Sequence, residues 1–390
     1  MIIDTLKLKD FRNYEALEIT PHPGVNLLFG QNGSGKTNLL EAVHYCAVGR
    51  SHRTSQDMEV VRKGAASAAV GVTVRKADGR HDVAVKLTPN EIRKKHVFID
   101  NKRAAKLGDM MGKLQCVIFS PEDLMLVKDG PPVRRKFLDM MISQLSPQYF
   151  VALQQYQKAM EQRNALLRDA KKGARLDRAM LEAFEHGMAA PGEKIILERR
   201  KMLATISDCA ARKYEQISGR PGEHFHMAYE CCLDGDDDLA QRIIDGLSHS
   251  RQEDMIRATT SFGVHREDID LTLMGRQMKL FASQGQIRTA ALSIKLAQLE
   301  VFRTVTGEAP ILLLDDVMSE LDMNRRTRLI DEISGVQTFI TCTDASDIDG
   351  SLERRSYQVR MTAEATADIR ALSEGEAYDV VDVDEDPDFS

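Results

Sequence analysis

Residues 30–37 read GQNGSGKT, directly after the apolar run Val25–Phe29 and directly before an amphipathic stretch that opens at Asn38. Gly, four residues, Gly, Lys and Thr is the Walker A pattern, and strand, loop, helix is the context that the pattern needs. Gly30, Gly33 and Gly35 let the backbone turn tightly, so that N–H groups from Gln31, Asn32 and Ser34 onward converge on one concavity fit for phosphate oxygens. Lys36 adds a mobile positive charge, Thr37 offers a hydroxyl to Mg²⁺, and the helix that follows points its positive dipole end at the same place.

Composition narrows the class. With 390 residues, 43% of them apolar and 29% charged, the chain has room for two or three domains around large cores. It holds no run of eighteen apolar residues, and its first segment, MIIDTLKLKDF, mixes acids and bases, so a cytoplasmic protein without a membrane span is expected. The six cysteines form no CxxC pair and show no metal spacing, which reads as reduced thiols. The net charge of −6 is uneven: residues 364–390 carry −9, leaving the body at +3. That segment has little apolar periodicity and reads as a disordered acidic tail, which either aids solubility or covers a basic DNA surface.

Along the chain, 69–74 and 83–87 alternate around Asp78-Gly79, and 96–99 ends at Asp100-Asn101; both read as antiparallel hairpins. Arg93, Lys94, Lys95, Lys102, Arg103 and Lys106 cluster near the second, either as contacts for DNA phosphates or as solvated charge. Residues 139–170 and 177–218 read as two helical arms, the second interrupted at Pro191-Gly192, and too short in heptad pattern for a long coiled coil. Asp236-Asp237-Asp238 reads as a loop before a helix near Leu239. Ile269, Leu271 and Leu273 alternate as a strand leading back to the nucleotide-binding core.

A second group of motifs follows. Ser283, Gln284, Gly285 and Gln286 form a polar loop opening a strongly apolar helix, a second phosphate-binding geometry. Ile311, Leu312, Leu313 and Leu314 then run into Asp315 and Asp316, as a buried parallel strand whose tip presents acids. Asp315 is expected to hold Mg²⁺ and Asp316 to orient the attacking water. Walker A, a signature-like loop, Walker B and the SELD run at 319–322 together resemble the ABC-type ATPase head.

Within that class the chain resembles the RecF family, through FRNY at 11–14, GQNGSGKTNLLEA at 30–42, SPEDLMLVKDGPPVRRKFLD at 120–139, SQGQ at 283–286 and LLLDDVMSELD at 312–322. The resemblance implies an α/β ABC-type P-loop head with a mixed sheet, an antiparallel β subregion and a compact helical lobe inserted between Walker A and the signature. The domains are expected at 1–128 and 269–363 for the head, 129–268 for the lobe and 364–390 for the tail. It implies slow, DNA-stimulated hydrolysis of ATP with Mg²⁺, and an ATP-dependent homodimer in which Ser283, with Gly285 and Gln286, completes the partner's site. It also implies binding to double-stranded and gapped DNA, with RecO and RecR, to load RecA onto strands coated by SSB. Ile287 and Val264 depart from the pattern expected of the family. Three points stay open: whether FRNY stacks on adenine or packs in the sheet, whether Arg134 and Arg135 meet DNA or pin the lobe to the head, and whether Thr341 or Thr343 is the switch residue. Two rivals remain, an OLD-like nuclease using Asp382, Asp384 and Asp386, and a structural clamp that binds ATP without turnover.

Overall fold

The computed structural model describes residues 1–220, 222–344, 354–362 and 365–372. Asp382, Asp384 and Asp386, and the expected tail beyond residue 372, lie outside the described residues. The chain divides into two compact units, Met1–Asp123 with Lys295–Ser390, and Leu124–Ile294.

The first unit holds two six-stranded sheets. One is antiparallel: β1 (Ile2–Phe11), β2 (Tyr14–Ile19), β4 (Ala68–Lys76), β5 (Gly79–Leu87), β6 (Lys95–Ile99) and β7 (Lys102–Arg103), in the order β2-β1-β4-β5-β6-β7. Both expected hairpins are present. Asp100 and Asn101 sit at φ 50° and 60°, the left-handed pair that a tight two-residue turn between right-twisted strands requires. The other sheet contains β3 (Val25–Phe29), β8 (Cys116–Phe119), β12 (Ile311–Leu314), β13 (Thr338–Cys342), β14 (Arg354–Met361) and β15 (Ala367–Leu372), in the order β15-β14-β3-β13-β12-β8. Its pairs are parallel except β14 with β15. The Walker A helix α1 (Lys36–Val48) touches strands of both sheets. Leu39, Leu40 and Val43 are fully buried there, each contributing about 1.5–3 kcal/mol. The end of α9 (Gln284–Thr306), α10 (Val317–Glu320) and α11 (Met323–Ile333) complete the unit. β15 lies inside the segment read as tail: Val359 and Ile369 face each other in the β14–β15 ladder and both are buried, so the head continues to residue 372.

The second unit contains α2 (Met125–Lys128), α3 (Pro131–Leu145), α4 (Pro147–Lys171), α5 (Arg178–Ser218), β9 (Phe225–Glu230), α6 (Leu239–His249), α7 (Arg251–Arg257), β10 (Asp268–Leu273), β11 (Arg276–Gln277), α8 (Met278–Phe281) and the start of α9. Two breaks differ from the sequence expectation. The first arm splits at Ser146, which caps α4 by accepting the Tyr149 N–H, with Pro147 in the first turn. The second arm runs unbroken through Pro191. Its packing favours continuity, because Gly192 brings the backbone against Tyr156 and Ile243 and a methyl group there would meet Ile243 at 2.8 Å. The alternation at Ile269, Leu271 and Leu273 is real, but the strand pairs with β9 inside this unit and does not lead into the head sheet. The unit therefore extends past residue 268 and takes in the signature loop. Among the described residues no helix is long and apolar enough to cross a membrane.

Candidate nucleotide site

β3 delivers the chain to the loop, and the loop is built around its glycines. Gly30 has φ 150°, and a side chain there would collide with the Val359 carbonyl oxygen. Gly33, at φ 81°, takes a left-handed conformation that favours glycine, and a side chain there would meet open space. Ser34 is 2% exposed, and its hydroxyl has no hydrogen-bond partner among the described residues. Lys36 donates to the Gly30 and Gln31 carbonyls at 2.7 and 2.9 Å, so the ammonium closes the loop on itself. Burial lowers its pKa, against the opposing pull of Asp316, Cys342 and Asp315.

The parallel order puts β13 between β3 and β12, and the tips of all three face the loop's end of the sheet. Asp315, just past β12, accepts hydrogen bonds from Thr37 Oγ1 and Thr341 Oγ1, both at 2.8 Å. Walker A and Walker B thus meet at one carboxylate, as the sequence leads one to expect. Burial raises the Asp315 pKa, and the two hydroxyl bonds hold that rise back. Asp316 takes a left-handed conformation at φ 52°, and its N–H donates to Thr341 Oγ1 at 2.9 Å. Thr341 is buried and spent on both acids, whereas Thr343 is exposed just beyond β13.

The FRNY run braces the loop from behind. Phe11 is fully buried edge-on to Tyr45, and Tyr14, also fully buried, donates its hydroxyl to the Gly35 carbonyl at 3.0 Å. Asn13 donates to the Ser34 carbonyl at 3.2 Å and accepts from Asn38 at 2.7 Å. Arg12 grips Glu41 with two bonds of 2.8 and 2.7 Å. Of the two sequence readings the packed one holds, and neither aromatic ring is available to a base. Glu41 is a residue that sequence reasoning missed. Its signal was a lone acid among Leu39, Leu40, Ala42 and Val43, since a buried carboxylate demands a cation.

In the second unit Ser283 caps α9 reciprocally with Gln286. The Ser283 N–H donates to Gln286 Oε1 at 2.9 Å and the Gln286 N–H to Ser283 Oγ at 3.3 Å, a capping box. Ser283, Gln284 and Gly285 are exposed, and Ile287 is buried, so an apolar residue suits that departure from the family pattern. Among the basic residues, Arg93, Lys94, Lys102, Arg103 and Lys106 are exposed around the β6–β7 hairpin. Three of the expected DNA contacts are instead engaged within the chain. Lys95 binds Asp57 at 2.5 Å and the Gly49 carbonyl at 2.6 Å. Arg134 is 8% exposed and forks onto Asp268 at 2.8 and 2.7 Å, pinning elements of its own unit. Arg135 is half-buried and donates to the Glu267 carbonyl at 2.5 Å.

Residues 2–367 match the model of the RecF/RecN/SMC N-terminal domain. The chain is 39% identical over 361 residues to the DNA replication and repair protein RecF of Ruminiclostridium cellulolyticum, covering 91% of this chain and 96% of that protein. It is 40% identical over 350 residues to the RecF of Acetivibrio thermocellus, covering 88% and 94%. Among solved structures, the recombination mediator protein RecF with ATP, described as part of the RecFOR pathway, superposes with a TM-score of 0.85 at 33% identity, over 94% of this chain and 97% of that one. An Smc head bound to the winged-helix domain of ScpA shares the fold, at a TM-score of 0.55 and 16% identity. Likeness at this identity and over this much of both sequences assigns the chain to the RecF family, DNA replication and repair proteins built on an SMC-type ATPase head.

Proposed function

We propose that the chain is an ATP-gated DNA clamp of recombinational repair, working in the cytoplasm. The observation that carries this reading is the junction of Thr37 and Asp315 at 2.8 Å beside a glycine loop with an unsatisfied Ser34 hydroxyl. One hydroxyl and one carboxylate are hard oxygen donors that fit Mg²⁺, which when bound would neutralise charge on the β- and γ-phosphates. The loop's N–H groups cradle the phosphates of ATP, and Lys36 exchanges its two carbonyl partners for phosphate oxygens. Asp316 orients the attacking water. A carboxylate one methylene shorter than the glutamate of many such heads holds that water less closely, so turnover is slow. With Thr341 committed to Asp315 and Asp316, exposed Thr343 is the residue left to face the γ-phosphate.

Ser283, Gly285 and Gln286 act on the ATP of a second copy, closing a homodimer that opens after hydrolysis. The expected result is a dimeric mass by light scattering with ATP, a monomeric one with ADP or no nucleotide, and a monomer under all conditions for Ser283→Arg. A mass indifferent to nucleotide would sink the clamp. The closed form binds duplex and gapped DNA and, with RecO and RecR, promotes RecA loading on SSB-coated strands, the role that family membership supports.

DNA is held through phosphates by the exposed cluster. Reversing Arg93, Lys94 and Lys102 to Glu is expected to lower the slope of log affinity against log salt by about 1 for each phosphate no longer neutralised. An unchanged slope removes this face from the interface.

A further inference from the structure

β9 ends at Glu230, and the next two residues are Cys231 and Cys232. The chain returns at Glu267, just before Asp268, which pairs with Glu230 across the β9–β10 ladder. Register therefore brings two adjacent thiols to a carboxylate that lies 36 residues from the first of them. Both thiols donate to the same oxygen, Glu267 Oε1, at 3.1 and 3.2 Å, and the Cys232 N–H donates to it at 3.2 Å. The second carboxylate oxygen is held by Arg199 at 2.8 Å and by the Tyr229 hydroxyl. Glu267 is 3% exposed and both cysteines are half-buried.

The three ligand atoms lie within 4.8 Å of one another. Two S–H protons pointing at one oxygen can be exchanged for a single divalent cation. Two protons leave, two charges arrive, and the net charge of the cluster is unchanged. Two thiolates and a carboxylate are a donor set for Zn²⁺, with the fourth tetrahedral position left to water. Sulfur selects against Mg²⁺, so this chemistry is separate from that of the nucleotide site. Supporting groups are already in place. Arg200 Nη2 donates to Cys231 Sγ at 3.3 Å, which favours the thiolate, while Arg199 and Tyr229 fix the carboxylate. Neither cysteine is fully buried, which leaves room for an entry path.

We propose that Cys231, Cys232 and Glu267 form a binding site for one zinc-class ion, which staples the open end of the β9–β10 pair at the root of the segment carrying α6 and α7. Spacing along the sequence gives no hint of it, because the third ligand is supplied by strand register.

The test uses the full chain, chelator-stripped and reduced, with all six thiols counted under denaturing conditions. Titration with Cd²⁺ is expected to give a sulfur-to-cadmium charge-transfer band that saturates at one equivalent and is displaced by Zn²⁺. Cys231→Ser with Cys232→Ser should abolish the band and weaken Zn²⁺ at least about 100-fold, the upper end of what losing a supporting partner alone costs. Cys209→Ser should leave both intact. Zn²⁺ should also slow alkylation of Cys231 and Cys232 in the unmodified chain, read by mass spectrometry, which needs no variant to fold. No band in the reduced chain, a band that survives the double substitution, or alkylation indifferent to Zn²⁺ would each overturn the proposal.

Discussion

Replacing Asp315 with asparagine is expected to make the nucleotide-free chain more heat-resistant while removing most of its ATP turnover. The carboxylate is 7% exposed, and burial raises its pKa above that of the unfolded chain. A carboxyl raised in this direction supports folding when protonated, and that support is lost as pH climbs through the folded value. At neutral pH the ionised group therefore opposes the empty fold. Asparagine keeps an oxygen for the Thr37 and Thr341 hydroxyls and carries no charge, so the unfolding temperature should rise. It is a poor Mg²⁺ ligand, and turnover should fall by about 10²–10³, the usual cost of losing one group that stabilises transition-state charge. Thermal melts without nucleotide and a steady-state phosphate assay at varied Mg²⁺ check the two halves. A variant that melts lower and still hydrolyses ATP would refute the assignment of Asp315.

The largest loss of stability is expected in the other unit, from Arg163→Ala. Arg163, Glu185 and Asp254 are all fully buried. The guanidinium binds Asp254 at 2.7 Å, Thr260 at 2.9 Å, Glu185 at 3.0 Å and the Leu247 carbonyl at 3.2 Å, tying α4, α5, α6 and α7 together. Its removal leaves buried Asp254 without its cation and Glu185 with Arg251 alone. Arg251 still reaches Glu185, and Ser250 and Ser261 still reach Asp254, but none of these replaces the lost charge between them. Breaking such a cluster costs about 3–5 kcal/mol. Arg163→Lys should recover only part, since an ammonium cannot fork to both acids. Hydrogen exchange of the α4 and α5 amides reads this unit by itself, and an opening free energy within about 1 kcal/mol of the parent would count against the cluster's importance.

Most of the nucleotide site was legible because its chemistry is local. The glycine loop, the Ile311–Leu314 strand with its two acids, and the Ser283 to Gln286 cap each lie within a few consecutive residues, where spacing alone states geometry. The two hairpins were legible for the same reason. Charge partnership was not. Lys95 and Lys94 are neighbours of the same type, yet one is consumed by Asp57 and the other faces solvent. Nothing in the local pattern separates Arg134, locked to Asp268, from a phosphate ligand. The β10 strand shows the same limit, because its alternation identified a half-buried strand but not the sheet that receives it.

The brace behind the phosphate loop bears on how ATP is received. Arg12, Asn13 and Tyr14, at the turn between the first two strands, fasten α1 and the Ser34 and Gly35 carbonyls through bonds that need no ligand. A receptor already shaped charges its guest no ordering entropy, so more of each phosphate interaction survives as affinity. Mutations in that turn should therefore act as a loosening of the cradle, felt at the nucleotide through the Ser34 and Gly35 carbonyls and α1.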